Sequence, residues 1–243
     1  MTYCVGLRLN RGLVFMADTR TNAGLDNIST YRKLFTWSKP GRSVITVMTA
    51  GNLATTQAVI SLLDERTKAH EERKPSILEQ PSMFQVARLV GDTLKEVIRS
   101  NTGAGQEADS TFHASMIVGG RISTGEPRLF MIYPEGNFIE AGPDTPYLQI
   151  GETKYGKPIL VRAYDSDMSF EDAIKLLLVS FDSTIKANLS VGLPIDVQII
   201  EIDKLEPGRS LRIEGDDPYF RAISEGWGTA LKKAFASLPD FRF

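Results

Sequence analysis

The stretch Met1-Thr2-Tyr3-Cys4-Val5-Gly6-Leu7-Arg8-Leu9-Asn10-Arg11-Gly12-Leu13-Val14-Phe15-Met16-Ala17-Asp18-Thr19-Arg20 decides how the rest of the chain is read. Two apolar runs, Tyr3–Leu9 and Leu13–Thr19, flank Asn10-Arg11-Gly12 and predict a β-hairpin. With Gly12 in the left-handed conformation the loop has three residues, so residue 9 faces 13 and residue 7 faces 15. One face then carries Val5, Leu7, Leu9, Leu13, Phe15 and Ala17, and the other Thr2, Cys4, Arg8, Met16, Asp18 and Arg20. A two-residue loop would set Asp18 and Arg20 among Val5, Leu7 and Leu9, a costly place for charges. The longer loop is therefore expected, with Asp18 and Arg20 on the face and at the end that carry Thr2.

Working outward, Lys33–Trp37 and Ser43–Ala50 flank Ser38-Lys39-Pro40-Gly41-Arg42 and read as a second hairpin. Helices are expected near Leu53–Ala69, where Val59, Leu62, Leu63 and Arg66 recur at helical spacing, and near Ser82–Ser100. Pro75 and Pro81 separate them, and the charged run from Asp64 to Lys74 reads as a solvated face. Strands follow at Phe112–Val118, Arg128–Tyr133, Asn137–Glu140 and Tyr147–Ile150. Two more helices come near Thr153–Ala163 and Ser169–Ala187, the second opened by the cap-like Ser169-Phe170-Glu171-Asp172. Val197–Ile202 and Ser210–Ile213 close the strands, and Pro218–Ser237 reads as a terminal helix. Strands, two helices, strands, two helices, strands is the order of an α+β, four-layer αββα sandwich. Two separate α+β units share that pattern, but no linker lies near the midpoint. One domain over 1–243 is expected, with 210–243 as a C-terminal helical extension.

Composition narrows the function. Of 243 residues, 28 Lys+Arg oppose 30 Asp+Glu, so no basic field invites nucleic acid or an acidic membrane. No apolar run approaches the ~20 residues that span a bilayer. The start lacks the charged and apolar regions of a signal peptide, so a cytoplasmic protein is expected. Cys4 is the only cysteine and His70 and His113 the only histidines, which leaves no zinc-type or multi-histidine metal site. No cofactor is implied.

Chemistry concentrates near the start. Removal of Met1 would give Thr2 both a hydroxyl and a free α-amine, and an amine of pKa ~7.7–8.0 can act as base for its own hydroxyl. A small residue after the initiator is also common without any such role. Lys33, held by Asp18, could lie beside the Thr2 oxygen and favour its alkoxide. The same spacing fits an exposed surface pair. Ala50-Gly51-Asn52 stands where a strand gives way to a helix, so a Gly51 N–H could meet a developing oxyanion, or the segment is a plain turn.

Thr2, Ala17-Asp18-Thr19-Arg20, Thr21-Asn22-Ala23-Gly24, Arg32-Lys33 and Ala50-Gly51-Asn52-Leu53-Ala54-Thr55-Thr56-Gln57-Ala58-Val59 resemble a proteasome-type β subunit. These are N-terminal-nucleophile hydrolases built as αββα sandwiches. The Met-Thr-Tyr-Cys-Val-Gly-Leu opening and long C-terminal extension are most similar to the bacterial Anbu subunits. The resemblance implies Thr2 as nucleophile and base, Asp18 and Lys33 as the supporting pair with Arg20 beside them, and the Gly51 N–H as oxyanion donor. It implies backbone contacts from Asn22, Gly51 and Leu53 to an extended peptide, and Thr21, Tyr31, Thr49 and Leu53 around the side chain preceding the scissile bond. An apolar or neutral preference is expected there. A homo-oligomer, as a ring or open spiral, acting on peptide or unfolded protein is implied, with any ATPase partner unspecified.

The chain departs from that pattern in two places. Gly151-Glu152-Thr153 stands where the family carries Gly-Ser-Gly, so Glu152 could pair with the Thr2 ammonium and raise its pKa. Ala187-Asn188-Leu189-Ser190 supplies Ser190 without an Asp three residues before it, and Asp182 lies farther upstream. These departures keep a weakly active or inactive assembly subunit, or an amidase for a small amide, beside the peptidase reading. Gly151 to Lys157 mimics a phosphate-binding loop, but Pro158 replaces the Mg²⁺-binding hydroxyl. Cys4 reads as a small buried hydrophobe, His70 and His113 lack triad partners, and Trp227 reads as packing.

Overall fold

The computed structural model describes residues 2–22, 28–68, 75–101 and 110–243. Tyr3–Leu9 (β1) and Gly12–Asp18 (β2) form the first hairpin, and Leu34–Lys39 (β5) and Ser43–Gly51 (β6) the second. Between them lie two short strands, Arg20–Asn22 (β3) and Ile28–Thr30 (β4), which three residues apiece leave without a readable period. Leu53–Lys68 (α1) and Met83–Asn101 (α2) follow, then strands Ala114–Ile122 (β7), Arg128–Ile132 (β8), Phe138–Glu140 (β9) and Tyr147–Gly151 (β10). Lys157–Ala163 (α3), Phe170–Ala187 (α4), Ile195–Glu201 (β11), Ser210–Ile213 (β12) and Pro218–Ala236 (α5) complete the chain.

Two antiparallel sheets, β10-β1-β2-β11-β12 and β5-β6-β7-β8-β9, stack face to face as an αββα sandwich. On the outer face of the second sheet, Val86, Val90, Leu94 and Val97 of α2 meet Val47, Met116 and Val118. On the outer face of the first, Ala173, Leu177 and Phe181 of α4 meet Tyr3, Val5, Val14, Met16 and Val197. Spacings of three and four residues put each apolar stripe on one side of its helix. Between the sheets lie Cys4, Leu13, Phe15, Ala17 and Ile200 of the first sheet against Met48, Ile117 and Leu129 of the second.

The hairpin register differs from the expected one. Leu9 pairs with Gly12, Leu7 with Val14 and Cys4 with Ala17, a two-residue loop at Asn10-Arg11. Val5, Leu7 and Leu9 therefore share a face with Val14 and Met16, while Cys4 shares one with Leu13, Phe15 and Ala17. The expectation assumed one wet face. Here helices cover one side and a sheet the other, so both sides of β1 and β2 are apolar and alternation carries no register. Asp18 sits at the strand end, where fixed donors make its burial tolerable.

α3 begins at Lys157 rather than Thr153, with Pro158 in the first turn, where its missing N–H costs nothing. Ser169 caps α4 as expected, its Oγ accepting from the Asp172 N–H at 3.0 Å.

Candidate active site

Alternation along β1 turns Thr2, like Cys4, into the space between the sheets, and Thr2 is 8 % exposed. Its carbonyl oxygen accepts from the Glu152 N–H at 2.6 Å, beside the Tyr3–Gly151 pairing of β1 with β10. Gly151 has φ +84°, and a Cβ there would come within 2.0 Å of that carbonyl oxygen. Only glycine lets β10 approach the start of β1 so closely.

Asp18 ends β2 and Lys33 immediately precedes β5, so one residue belongs to each sheet. The Lys33 ammonium donates to Asp18 Oδ1 at 2.8 Å and to the Arg20 carbonyl oxygen at 2.6 Å. The N–H groups of Tyr3 and Gly192 donate to Asp18 Oδ1 at 2.9 Å and Oδ2 at 3.4 Å. Both side chains are buried. Burial pushes the Asp18 carboxyl above the ordinary Asp range, while Lys33 and the two N–H donors pull it down. The hairpin register thus sets Asp18 opposite Tyr3, one residue along from Thr2, and not on the Thr2 face as expected.

A cavity of about 410 Å³ opens where the sheets part, lined by Thr2, Thr21, Arg32, Lys33, Phe35, Thr49, Gly51, Leu53, Gln57 and Gly151 among others. Gly51 closes β6 with φ +113°, and a Cβ there would strike the His113 carbonyl oxygen at 2.4 Å. Five residues expected at the site besides Thr2 line this cavity: Thr21, Lys33, Thr49, Gly51 and Leu53. Tyr31 does not. It is 39 % exposed, with its N–H bonded to the Thr19 carbonyl, and Arg32, Phe35 and Gln57 line the cavity instead. The backbone of Asn22 lies in β3 opposite Ile28. Met1, Ala23, Gly24 and His70 lie outside the described residues.

Arg20 is divided in its contacts. Its carbonyl receives Lys33, while its guanidinium donates to the Leu189 carbonyl at 3.1 Å and lies over Gly192, leaving no room for a Cβ. Glu152 is buried, and its Oε2 accepts from Asn188 Nδ2 at 2.9 Å. Asn188 Oδ1 in turn accepts from the Ser190 N–H at 2.9 Å. Hydrogen bonds join Thr2 to Glu152, Glu152 to Asn188 and Asn188 to Ser190, and two residues farther along the backbone the Gly192 N–H meets Asp18. Asn188 and Gly192 were not among the expected site residues. The only sequence signal was the missing Asp before Ser190. Asp182 instead pairs with Lys186 along α4 at 2.9 Å. Cys4, with its thiol pushed up by burial and then by Asp18, is no ready thiolate.

Among the described residues, no group of three or more His, Cys, Asp or Glu side chains could hold a metal ion, and no helix is long and apolar enough to cross a membrane.

The proteasome subunit family matches residues 2–200, a span that ends before β12 and α5. The proteasome subunit beta of Methanopyrus kandleri is 26% identical over 214 residues, covering 86% of this chain and 90% of that protein. Among solved structures, the Anbu (Gly-1) mutant from Hyphomicrobium sp. strain MC1 is 50% identical over 100% of both chains, with a TM-score of 0.92. Anbu from Yersinia bercovieri is 45% identical over 99% of each chain at a TM-score of 0.92. The helical assembly of the Anbu complex from Pseudomonas aeruginosa matches at 45% identity over 99% of this chain and 98% of that one, TM-score 0.89. A sandwich with Thr2, Lys33 and Gly51 on one cavity, and likeness along the whole length to Anbu structures, lead to one statement: this chain belongs to the proteasome subunit family, and its structural relatives there are Anbu subunits.

Proposed function

We propose that the protein is a threonine-type peptidase that acts in the cytoplasm, as a homo-oligomer, on peptide or unfolded protein. Once Met1 is removed, the Thr2 amine takes the hydroxyl proton as Oγ1 attacks the scissile carbonyl carbon. The Gly51 N–H faces the oxyanion, and the same amine gives its proton to the departing nitrogen as the C–N bond breaks. Water, activated by the amine, then splits the Thr2 ester and restores the free hydroxyl. Asn22, Gly51 and Leu53 receive the peptide as an added strand, with Thr21, Thr49 and Leu53 beside the side chain before the cut.

One observation carries this reading. The Lys33 ammonium is buried at the wall of the Thr2 cavity, with two of its three hydrogens committed to Asp18 and the Arg20 carbonyl. A fixed cation in a dry wall favours an alkoxide far more than a solvated one does. The Glu152–Asn188 contact replaces the expected hydroxyl and carboxylate and holds the Ser190 loop to Thr2. It also supports a second reading, an assembly subunit that binds peptides without cutting them.

The test is hydrolysis of a fluorogenic peptide library by wild type, Thr2→Ala and Lys33→Ala, with intact mass measured on each. A wild type lacking Met1, with turnover at least about 10²-fold above both variants, is expected from loss of nucleophile or cation. Equal turnover in all three excludes the mechanism. Met1 retained in mature protein selects the second reading.

A further inference from the structure

β12 and β5 are edge strands of the two sheets, and a cleft of about 290 Å³ opens between them, walled by Arg32, Leu34, Asp196, Ser210, Leu211 and Arg212 among others. Asp196 pairs with Ala17 on β2 and with Arg212 on β12, so its side chain points between the sheets as Ala17 does. It is only 7 % exposed. Its Oδ1 lies 3.6 Å from the Arg212 guanidinium, which is also 3.3 Å from Glu214 Oε1. Its Oδ2 is buried with no hydrogen-bond partner among the described residues. A buried acceptor in that state carries a desolvation cost that nothing in the protomer offsets. Burial raises the Asp196 carboxyl above the ordinary Asp range, Glu214 adds to this, and Arg212 and then Arg32 pull it down. Arg32 therefore acts on this carboxylate through space, while no hydrogen bond or ion pair engages its guanidinium among the described residues.

We propose that this cleft binds a small zwitterion, the ammonium and carboxylate of a free amino acid or a short peptide. The ammonium donates to the Asp196 carboxylate and the ligand's carboxylate lies against the Arg32 guanidinium. The terminal torsion of an Asp side chain is broad, so Oδ2 turns toward the cleft at little cost. A simple cation would meet Asp196 but also two guanidinium groups, and a simple anion would leave Oδ2 unmet. One molecule with both charges answers both groups. Leu34 and Leu211 give its side chain an apolar wall, and the volume stands near the lower end of the ~300–1,000 Å³ clefts that take small molecules. Arg32 also lines the Thr2 cavity, whereas Asp196 belongs to the edge cleft alone. The site is independent of the chemistry proposed for Thr2.

The test is calorimetric titration of the full-length protein with L-leucine and with L-leucyl-glycine, which share one apolar side chain and differ in the spacing of their charges. Saturable binding with a Kd of about 1 mM or tighter is expected for at least one, and the tighter of the two identifies the source. N-acetyl-leucine, without the ammonium, and leucinamide, without the carboxylate, are each expected to bind about ten-fold more weakly. Asp196→Asn, of equal size, is expected to bind the zwitterion about as weakly as wild type binds N-acetyl-leucine, and Arg32→Gln about as weakly as wild type binds leucinamide. Thr2→Ala is expected to bind as wild type does. Near-UV circular dichroism checks that each variant keeps its fold, and Ser210→Trp, which fills the cleft from an exposed edge position, replaces any that does not and is expected to abolish binding. No saturable binding of either ligand, or equal binding of the blocked ligands or of the altered cleft, would overturn the proposal. So would binding lost in Thr2→Ala, which would move the ligand to the other cavity.

Discussion

Two ion pairs bridge neighbouring segments of this molecule, and they could hardly differ more. Arg128 on β8 meets Glu140 on β9 through two guanidinium bonds at the sheet edge, with both side chains more than a third exposed. Lys33 and Asp18 join the two sheets instead, with side-chain exposures of 5% and 0%. Geometry favours the exposed pair, which has the bidentate fork. Environment favours the buried one, because water no longer screens its field and every remaining donor must be placed. A cation becomes useful to a nucleophile through what has been removed from around it.

The sharpest way to break that contrast is Lys33→Ala. It leaves the Asp18 carboxylate buried and unpaired, and about 3–5 kcal/mol of stability is expected to go, read from urea unfolding. Asp18→Asn added to it is expected to recover part of the loss, since a neutral amide needs no counter-charge. A loss below 1 kcal/mol for the single variant would mean that water reaches the pair. Gly151→Ala comes next, because the new methyl must displace the Thr2 carbonyl from a left-handed backbone. A cost of at least about 2 kcal/mol is expected, together with lost turnover.

Alkaline titration sharpens the comparison at a third buried group. Desolvation lifts the Tyr3 hydroxyl to about 12, although Ser180 and Gln149 bond to it. Its folded pKa is raised, so its contribution is complete below pH ~10 and is lost as pH climbs through about 12. Wild type is expected to lose about 2–3 kcal/mol across that window, and Tyr3→Phe to lose less, measured by unfolding at stepped pH. Last, Arg128→Ala is expected to cost less than about 1 kcal/mol, and less still in high salt.

Much of the site could be read along the chain because its members lie at the ends of predicted strands. Thr2, Lys33 and Gly51 flank or close β1, β5 and β6, and those boundaries follow from turn residues and apolar runs. The register of the first hairpin could not be read the same way. The cost of burying Asp18, which favours the other register, is met by donors from Tyr3, Lys33 and Gly192. One of these three, Gly192, lies 174 residues along the chain, which no local pattern displays. The Arg20 side chain, Asn188 and Gly192 are hidden for the same reason: their partners lie across the fold. Tyr31 illustrates the converse, since a residue beside the site in sequence turns outward.

What the residues alone determined is the succession of elements and the candidate nucleophile, because periodicity, turn chemistry and a threonine after the initiator are local properties. What only the folded molecule decided is which atoms face Thr2 and with what charge. That depends on two sheets closing around Asp18 and Lys33, and removal from water is a property of the whole assembly of elements rather than of any stretch of chain.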